Sequence, residues 1–194
     1  MVKIGVLFQS WLTLYGENGN IKALIKNLSE MNIQAETDYI ESLDSVDLNS
    51  YDFLYIGSGR ITGLEYALKE INRNRDNVFD YINSNKVMMV TGNAIKALSE
   101  LGIYKIHEGN DYFVSDVSAT SVLTQSKIRA FQNTKYILDE QKDYLFELER
   151  GISNKGLESA EGFRYKELYV SSMIGPLLAL NDEFRKYIID RIVK

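Results

Sequence analysis

The run Val87-Met88-Met89-Val90 passes into Thr91-Gly92-Asn93, and at this junction the residue types of the chain come nearest to a catalytic arrangement. Four apolar residues in succession read as a strand covered on both faces. Ile95, Leu98 and Leu101 then recur at helical spacing, with Gly102 as a stop. A strand that turns sharply into a helix thrusts one side chain out of the turn and aims the next backbone N–H at a developing oxyanion, as acyl transfer requires. Thr91 would occupy that elbow. A hydroxyl needs a neighbouring base to attack at neutral pH, and a β-branched side chain resists the positive φ of a sharp bend, so Thr91 is a poor nucleophile.

A second glycine turn, Gly57-Ser58-Gly59-Arg60, follows the apolar stretch Tyr51 to Ile56. Ser58, Gly59 and Gly92 could present backbone N–H groups beside a helix N-terminus, an arrangement suited to a small carboxylate or phosphate without any catalysis. The chain has no cysteine, so thiol nucleophiles, disulfides and thiolate zinc sites are excluded together. One histidine, His107, leaves no His-pair metal motif; no metal and no cofactor are expected. His107 lies in Ile106-His107-Glu108-Gly109, read as a solvated loop remote from the elbow.

These turns need a sheet to hold them. The 194 residues, 45% of them hydrophobic, suit one α/β domain spanning 1–194. A formal charge of -5 argues against nucleic acid or an anionic membrane as main partner, and no window approaches a membrane span. Residues 2–8 read as the first strand of a cytoplasmic protein rather than as a secretory signal. The segment Trp11 to Asn20 is a loop, with Asn20 expected to cap the helix that carries Ile21, Leu24, Ile25 and Leu28. Ile33 to Ile40 is a diluted strand, and Asn72-Arg73-Asn74-Arg75 breaks the helical pattern between Leu64 and Ile82. Short, antiparallel strands are expected from Ile103 to Leu148, and Asn181 is expected to cap a last helix. The sum is a mixed sheet of about seven strands, flavodoxin-like and mostly parallel in its first half, with helices on both faces, an antiparallel C-terminal extension, and Thr91 ending a central strand.

Four separated stretches resemble the class I glutamine amidotransferases, in particular the cobyric-acid-synthase type and the glutaminase subunit of lipid II isoglutaminyl synthase, a bacterial cell-wall activity. Leu14-Tyr15-Gly16-Glu17-Asn18-Gly19-Asn20 is similar to a Thr-Tyr-Gly-Asp-x-Gly-Asn loop, and Tyr55-Ile56-Gly57-Ser58-Gly59 to Phe-Ile-Gly-Gly-Gly. Ala130-Phe131-Gln132-Asn133 resembles Gly-Phe-Glu-Asn, and Gly175-Pro176-Leu177-Leu178 the end of Tyr-Leu-His-Gly-Pro-Leu-Leu. The family elbow reads Cys-Gly-Gly, which sets Thr91 on the nucleophile position and Gly92 on an oxyanion-hole residue. The family histidine falls on Ile174, and a glutamine-gripping arginine on Tyr112. The resemblance therefore implies a family member without its Cys–His pair, a binding or regulatory partner of a Mur-ligase-like or other synthetase. Two alternatives remain: a hydrolase or transferase with a Thr or Ser nucleophile, or a sensor of a glutamine-like small molecule using Ser58, Gly59, Thr91, Gly92 and Tyr112. Trp11 and Tyr15, aromatic residues on a loop at the strand carboxyl ends, are the expected partner contacts.

Overall fold

The computed structural model describes residues 1–194. Its central sheet has six strands: β1 (Val2–Leu7), β2 (Ala35–Ile40), β3 (Phe53–Ile56), β4 (Val87–Thr91), β9 (Phe163–Tyr165) and β10 (Leu168–Ser171), in the order β2-β1-β3-β4-β10-β9. All neighbours run parallel except β9, which closes one edge antiparallel to β10. The apolar runs at β3 and β4 are buried at every position because helices cover both faces.

Strand alternation sorts the core. Leu54, Ile56, Met88 and Val90 face α2 (Ile61–Arg73), α3 (Arg75–Asn83) and a 3-10 helix (Gly92–Leu101). Phe53, Tyr55, Val87 and Met89 face α1 (Asn18–Glu30), α5 (Asp182–Ile192) and a second sheet. Thr91, two residues beyond Met89, falls on the α1 side, and that parity governs where its hydroxyl goes.

The second sheet has five strands: β5 (Ile106–Ser121), β6 (Lys127–Leu138), β7 (Phe146–Arg150), β8 (Ala160–Glu161) and β11 (Met173–Ile174), in the order β11-β6-β5-β7-β8, all antiparallel. The mostly parallel sheet with helices is as expected from the sequence, whereas most of the antiparallel extension forms a sheet of its own instead of continuing the first. The expected short strands around Tyr112 and Lys135 are parts of one long hairpin, β5 with β6, whose register shifts between Glu108 and Phe113. That irregularity, with Gly109 and Asp111 inside it, breaks the alternation by which a long strand is recognised. His107 lies on β5, paired across from Ile137, rather than in a loop.

Two caps also differ. The first helix starts at Asn18 behind Glu17, and Asn20 is buried inside it. Asn181 does precede α5, but its side chain bonds the main chain of Arg129 and Leu177 instead of the helix. A short helix, α4 (Leu177–Leu180), comes between β11 and α5. No helix is long and apolar enough to cross a membrane.

Candidate functional site at the strand carboxyl ends

Between β1 and β3 the strand order reverses: the chain leaves β1 toward β2, then returns past it to β3. The carboxyl ends of these strands therefore splay apart, and a crevice opens where open α/β sheets hold their ligands. Two segments fill it, residues 8–17 after β1 and residues 57–60 after β3. Phe8, fully buried, turns the chain with φ 59, and its carbonyl accepts both the Trp11 and Leu12 N–H groups. A non-glycine residue held there is locally strained and is kept in place by what surrounds it. The two segments then pack together at van der Waals limits. A Cβ on Gly59 would lie 2.4 Å from Leu12 Cδ2, and one on Gly63 2.8 Å from the Trp11 carbonyl oxygen, so glycine is required at both.

The bend itself falls one residue later than the sequence suggests. Thr91 is extended (φ -125, ψ 151) and ends β4, whereas Gly92 takes the left-handed conformation at φ 63. A side chain at Gly92 would meet Ile174 Cγ2 at 2.4 Å and Ser58 Oγ at 2.7 Å. Ile174, on β11, thus packs directly against the bend, and the place where an elbow side chain would project is closed by its methyl group.

Thr91 instead points beneath the sheet, into a buried polar cluster. Its Oγ1 lies 2.7 Å from the Tyr55 hydroxyl and donates to Glu17 Oε2 at 3.1 Å. The Tyr55 hydroxyl donates to the same carboxylate oxygen and accepts from Asn20 Nδ2 at 2.8 Å. Asn20 Oδ1 accepts the Leu178 N–H at 2.7 Å, which ties the cluster to the C-terminal segment. Glu17 is 1% exposed, and burial pushes its carboxyl up to about 7 against the hydrogen bonds from Tyr55 and Thr91. The Ser58 amide tempers that rise without reaching hydrogen-bond geometry, and Glu17 Oε1 has no partner. Burial and the adjacent Glu17 together raise Tyr55 well above a phenol's usual range, so Tyr55 stays a neutral donor.

The structure therefore sets a carboxylate beside Thr91, which the sequence reading missed. Its one signal was an acidic residue in a Gly/Asn loop just before a helix. No imidazole or thiol stands by Thr91. Access decides what this pair can do chemically. Thr91 and Ser58 have no exposed surface, and Gly59 and Gly92 are buried, so substrate does not reach them without rearrangement.

The donors of the β3–α2 turn are likewise occupied. Asn93 Oδ1 accepts from Ser58 Oγ at 2.8 Å and from the Gly59 N–H at 3.0 Å, while its Nδ2 donates to the Gly59 carbonyl at 2.6 Å. Of the N–H groups expected to bind a carboxylate, that of Gly59 is thus engaged within the chain. Tyr112, expected in the same ligand set, lies half-exposed on β5 with Lys135 over its ring. It is not gathered with the others.

What remains open is the outer wall. A cavity of about 360 Å³ is lined by Ser10, Trp11, Thr13, Leu14, Arg60 and Thr62. Trp11, 47% exposed, stacks on Tyr66 with ring centroids 5.4 Å apart, and Tyr15, 40% exposed, accepts from Asn133 Nδ2. Leu12 is buried, in keeping with a loop that folds some of its side chains back and presents others.

No protein-family model matches the chain. A glutamine-hydrolyzing lipid II isoglutaminyl synthase subunit, GatD, from Streptococcus pneumoniae is 23% identical over 93% of this chain and 76% of its own length. Among solved structures, PurLQS from Thermotoga maritima superposes with a TM-score of 0.70 at 15% identity, covering 99% of this chain and 97% of its own. A glutamine amidotransferase from the same organism gives 0.57 at 13% identity, over 89% of this chain and 75% of its own. These likenesses cover most of the chain or nearly all of it, and the superpositions show that it has the fold of the glutamine amidotransferases.

Proposed function

We propose that this protein is a catalytically silent glutamine amidotransferase-like chain that acts as a binding or regulatory partner of a synthetase, Mur-ligase-like or of another kind. The observation that carries the reading is the bend: glycine at the turn, Thr91 directed away from it, and the Ile174 methyl group where a base would have to stand. Attack on an amide carbon needs an activated nucleophile and a group to protonate the departing ammonia. The chain has no cysteine, and its one imidazole, His107, sits on β5 with Lys155 Nζ 3.0 Å from its Nδ1. Losing one member of such a unit lowers the rate about as far as losing all of it. The relative from Streptococcus pneumoniae is itself named as a subunit of a synthase, which supports a partner role.

Trp11 and Tyr15 are the partner contacts, at the end of the sheet that carries the bend. Ile61, 45% exposed at the start of α2, adds apolar surface to that end. Pull-down from native extract tests this. Trp11→Ala and Tyr15→Ala are expected to leave thermal stability nearly unchanged and to weaken capture of a synthetase by on the order of 2 kcal/mol each. Unfolding of both variants would place the loop in the core instead. The hydrolase reading has one observation in its favour, Glu17 beside Thr91. Ammonia or acid release from glutamine, asparagine or simple esters, abolished in Thr91→Ala, would establish it, and saturable glutamine binding without release would establish a sensor.

A further inference from the structure

We propose that the Ser58–Gly59 turn is a cradle for a primary carboxamide, and that the chain fills it with its own Asn93. A single side-chain amide makes three hydrogen bonds there to two consecutive residues. Its oxygen faces two donors, Ser58 Oγ at 2.8 Å and the Gly59 N–H at 3.0 Å, and its NH₂ group faces one acceptor, the Gly59 carbonyl at 2.6 Å. The reversed amide would set NH₂ against the Gly59 N–H and oxygen against the Gly59 carbonyl, so only this orientation satisfies every group. A carboxylate fails for the same reason: its second oxygen would meet the Gly59 carbonyl with no proton between them. The cradle thus selects amide over acid by one main-chain oxygen. Ser58 and Asn93 are 0% and 7% exposed, so removing the amide leaves buried polar groups without their partners.

The filling matters beyond the cradle. Leu12 and the Trp11 carbonyl rest on Gly59, and the Leu14 N–H donates to the Ser58 carbonyl at 2.9 Å, so the amide fixes the surface on which the Trp11 loop lies. A free amide ligand is then unnecessary: the loop is held constitutively in the filled arrangement. This goes beyond the partner reading and stands whether or not that reading does.

Asn93→Ala removes the carboxamide and keeps Cβ, so formamide is the group removed and formate its carboxylate counterpart. Thermal unfolding, the Gly59 amide resonance and the fluorescence of Trp11, the chain's only tryptophan, would be followed as each is titrated into the variant and the wild type. The expected result is a lower Tm for Asn93→Ala, a saturable recovery and Gly59 shift with formamide alone, and no such response in the wild type. A formamide response no larger than in the wild type, or an equal response to formate, overturns the proposal. Should Asn93→Ala not fold, Asn93→Asp supplies the second arm. Protonated at pH 3, below the ordinary carboxyl pKa of about 3.9, it offers the Gly59 carbonyl a donor; ionised at pH 8, it does not. Its Tm is expected to fall relative to wild type between those pH values, and an Asn93→Asp as stable as wild type at pH 8 refutes the carboxamide requirement. Neither arm reads partner capture, so failure here is distinct from failure of the proposed function.

Discussion

Two glutamates lie deep in this protein, and they resemble each other in everything except how they are satisfied. Glu17 and Glu161 are each 1% exposed, neither has a cation within ion-pair distance, and burial pushes both carboxyls up to about 7. Glu161, ending β8, has a donor for each oxygen. Oε1 accepts the Ser172 N–H at 2.7 Å and its Oγ at 2.8 Å, and Oε2 accepts Ser171 Oγ at 2.9 Å. Gln132 on β6 then bonds Ser172 Oγ and the main chain of Ile152, so the cluster staples the two sheets together. Glu17 is lopsided: its bonds converge on Oε2 while Oε1 has no partner. Equal burial therefore does not mean equal role. One carboxylate is a joint, and the other sits under the crevice with acceptor capacity unused.

The comparison breaks most visibly on truncation. Glu161→Ala strands two hydroxyls and an N–H in a buried joint and is expected to destabilise by about 4 kcal/mol, whereas Glu17→Ala leaves Tyr55 and Thr91 still able to bond one another and should lose roughly half as much. Urea titrations at pH 6 would measure both. Equal losses would make the two clusters equivalent.

Both carboxyls titrate higher in the folded chain than in the unfolded one, so the native state holds these protons more tightly. Their contribution is full below about pH 4.5, declines as pH rises, and is lost above about 7. From the shift between those values each is worth on the order of 3 kcal/mol at most. Unfolding free energy should accordingly be lower at pH 8 than at pH 5, and Glu17→Gln and Glu161→Gln should each flatten part of that slope. A wild-type profile that rises over this range would mean that both protons are held no better than in the unfolded chain.

How far the sequence exposes these two regions differs for physical reasons. The parallel sheet is legible because β3 and β4 are uninterrupted apolar runs ending in glycine turns, and the break between α2 and α3 is legible in Asn72 to Arg75. The buried cluster is not, since Glu17 and Asn20 at the start of α1, Tyr55 on β3 and Thr91 on β4 meet only through strand parity and the crevice. Asn20 looks like a cap because Asn is a good one; tertiary hydrogen bonds to Tyr55 and Leu178 take it instead. Asn93 offers no sequence signal at all, because its partners lie in the Ser58–Gly59 turn, 34 and 35 residues away. The bend is legible to within one residue, and the residue chemistry explains the slip: glycine accepts φ 63 without strain, and Thr91 stays extended.

The smallest effect is also the most discriminating, because it has opposite signs at the two sites. Glu17→Gln keeps an acceptor oxygen for Tyr55 and Thr91 and places its NH₂ group on the side where Oε1 now has no partner, so no existing hydrogen bond has to break. It also removes a charge that is buried without a counter-ion once the carboxyl ionises. At pH 8 this substitution should raise stability by about 1 kcal/mol, fading toward pH 5, where the wild-type carboxyl is already neutral. At Glu161 the same change turns one acceptor into a donor facing either Ser171 Oγ or the Ser172 N–H and Oγ, and stability should fall at both pH values. Paired urea titrations of the two Gln variants at pH 5 and pH 8 would read the difference directly. A Glu17→Gln less stable than wild type at pH 8 would mean that Oε1 has a partner after all, and the distinction between a satisfied joint and an unsatisfied carboxylate beneath the crevice would fall with it.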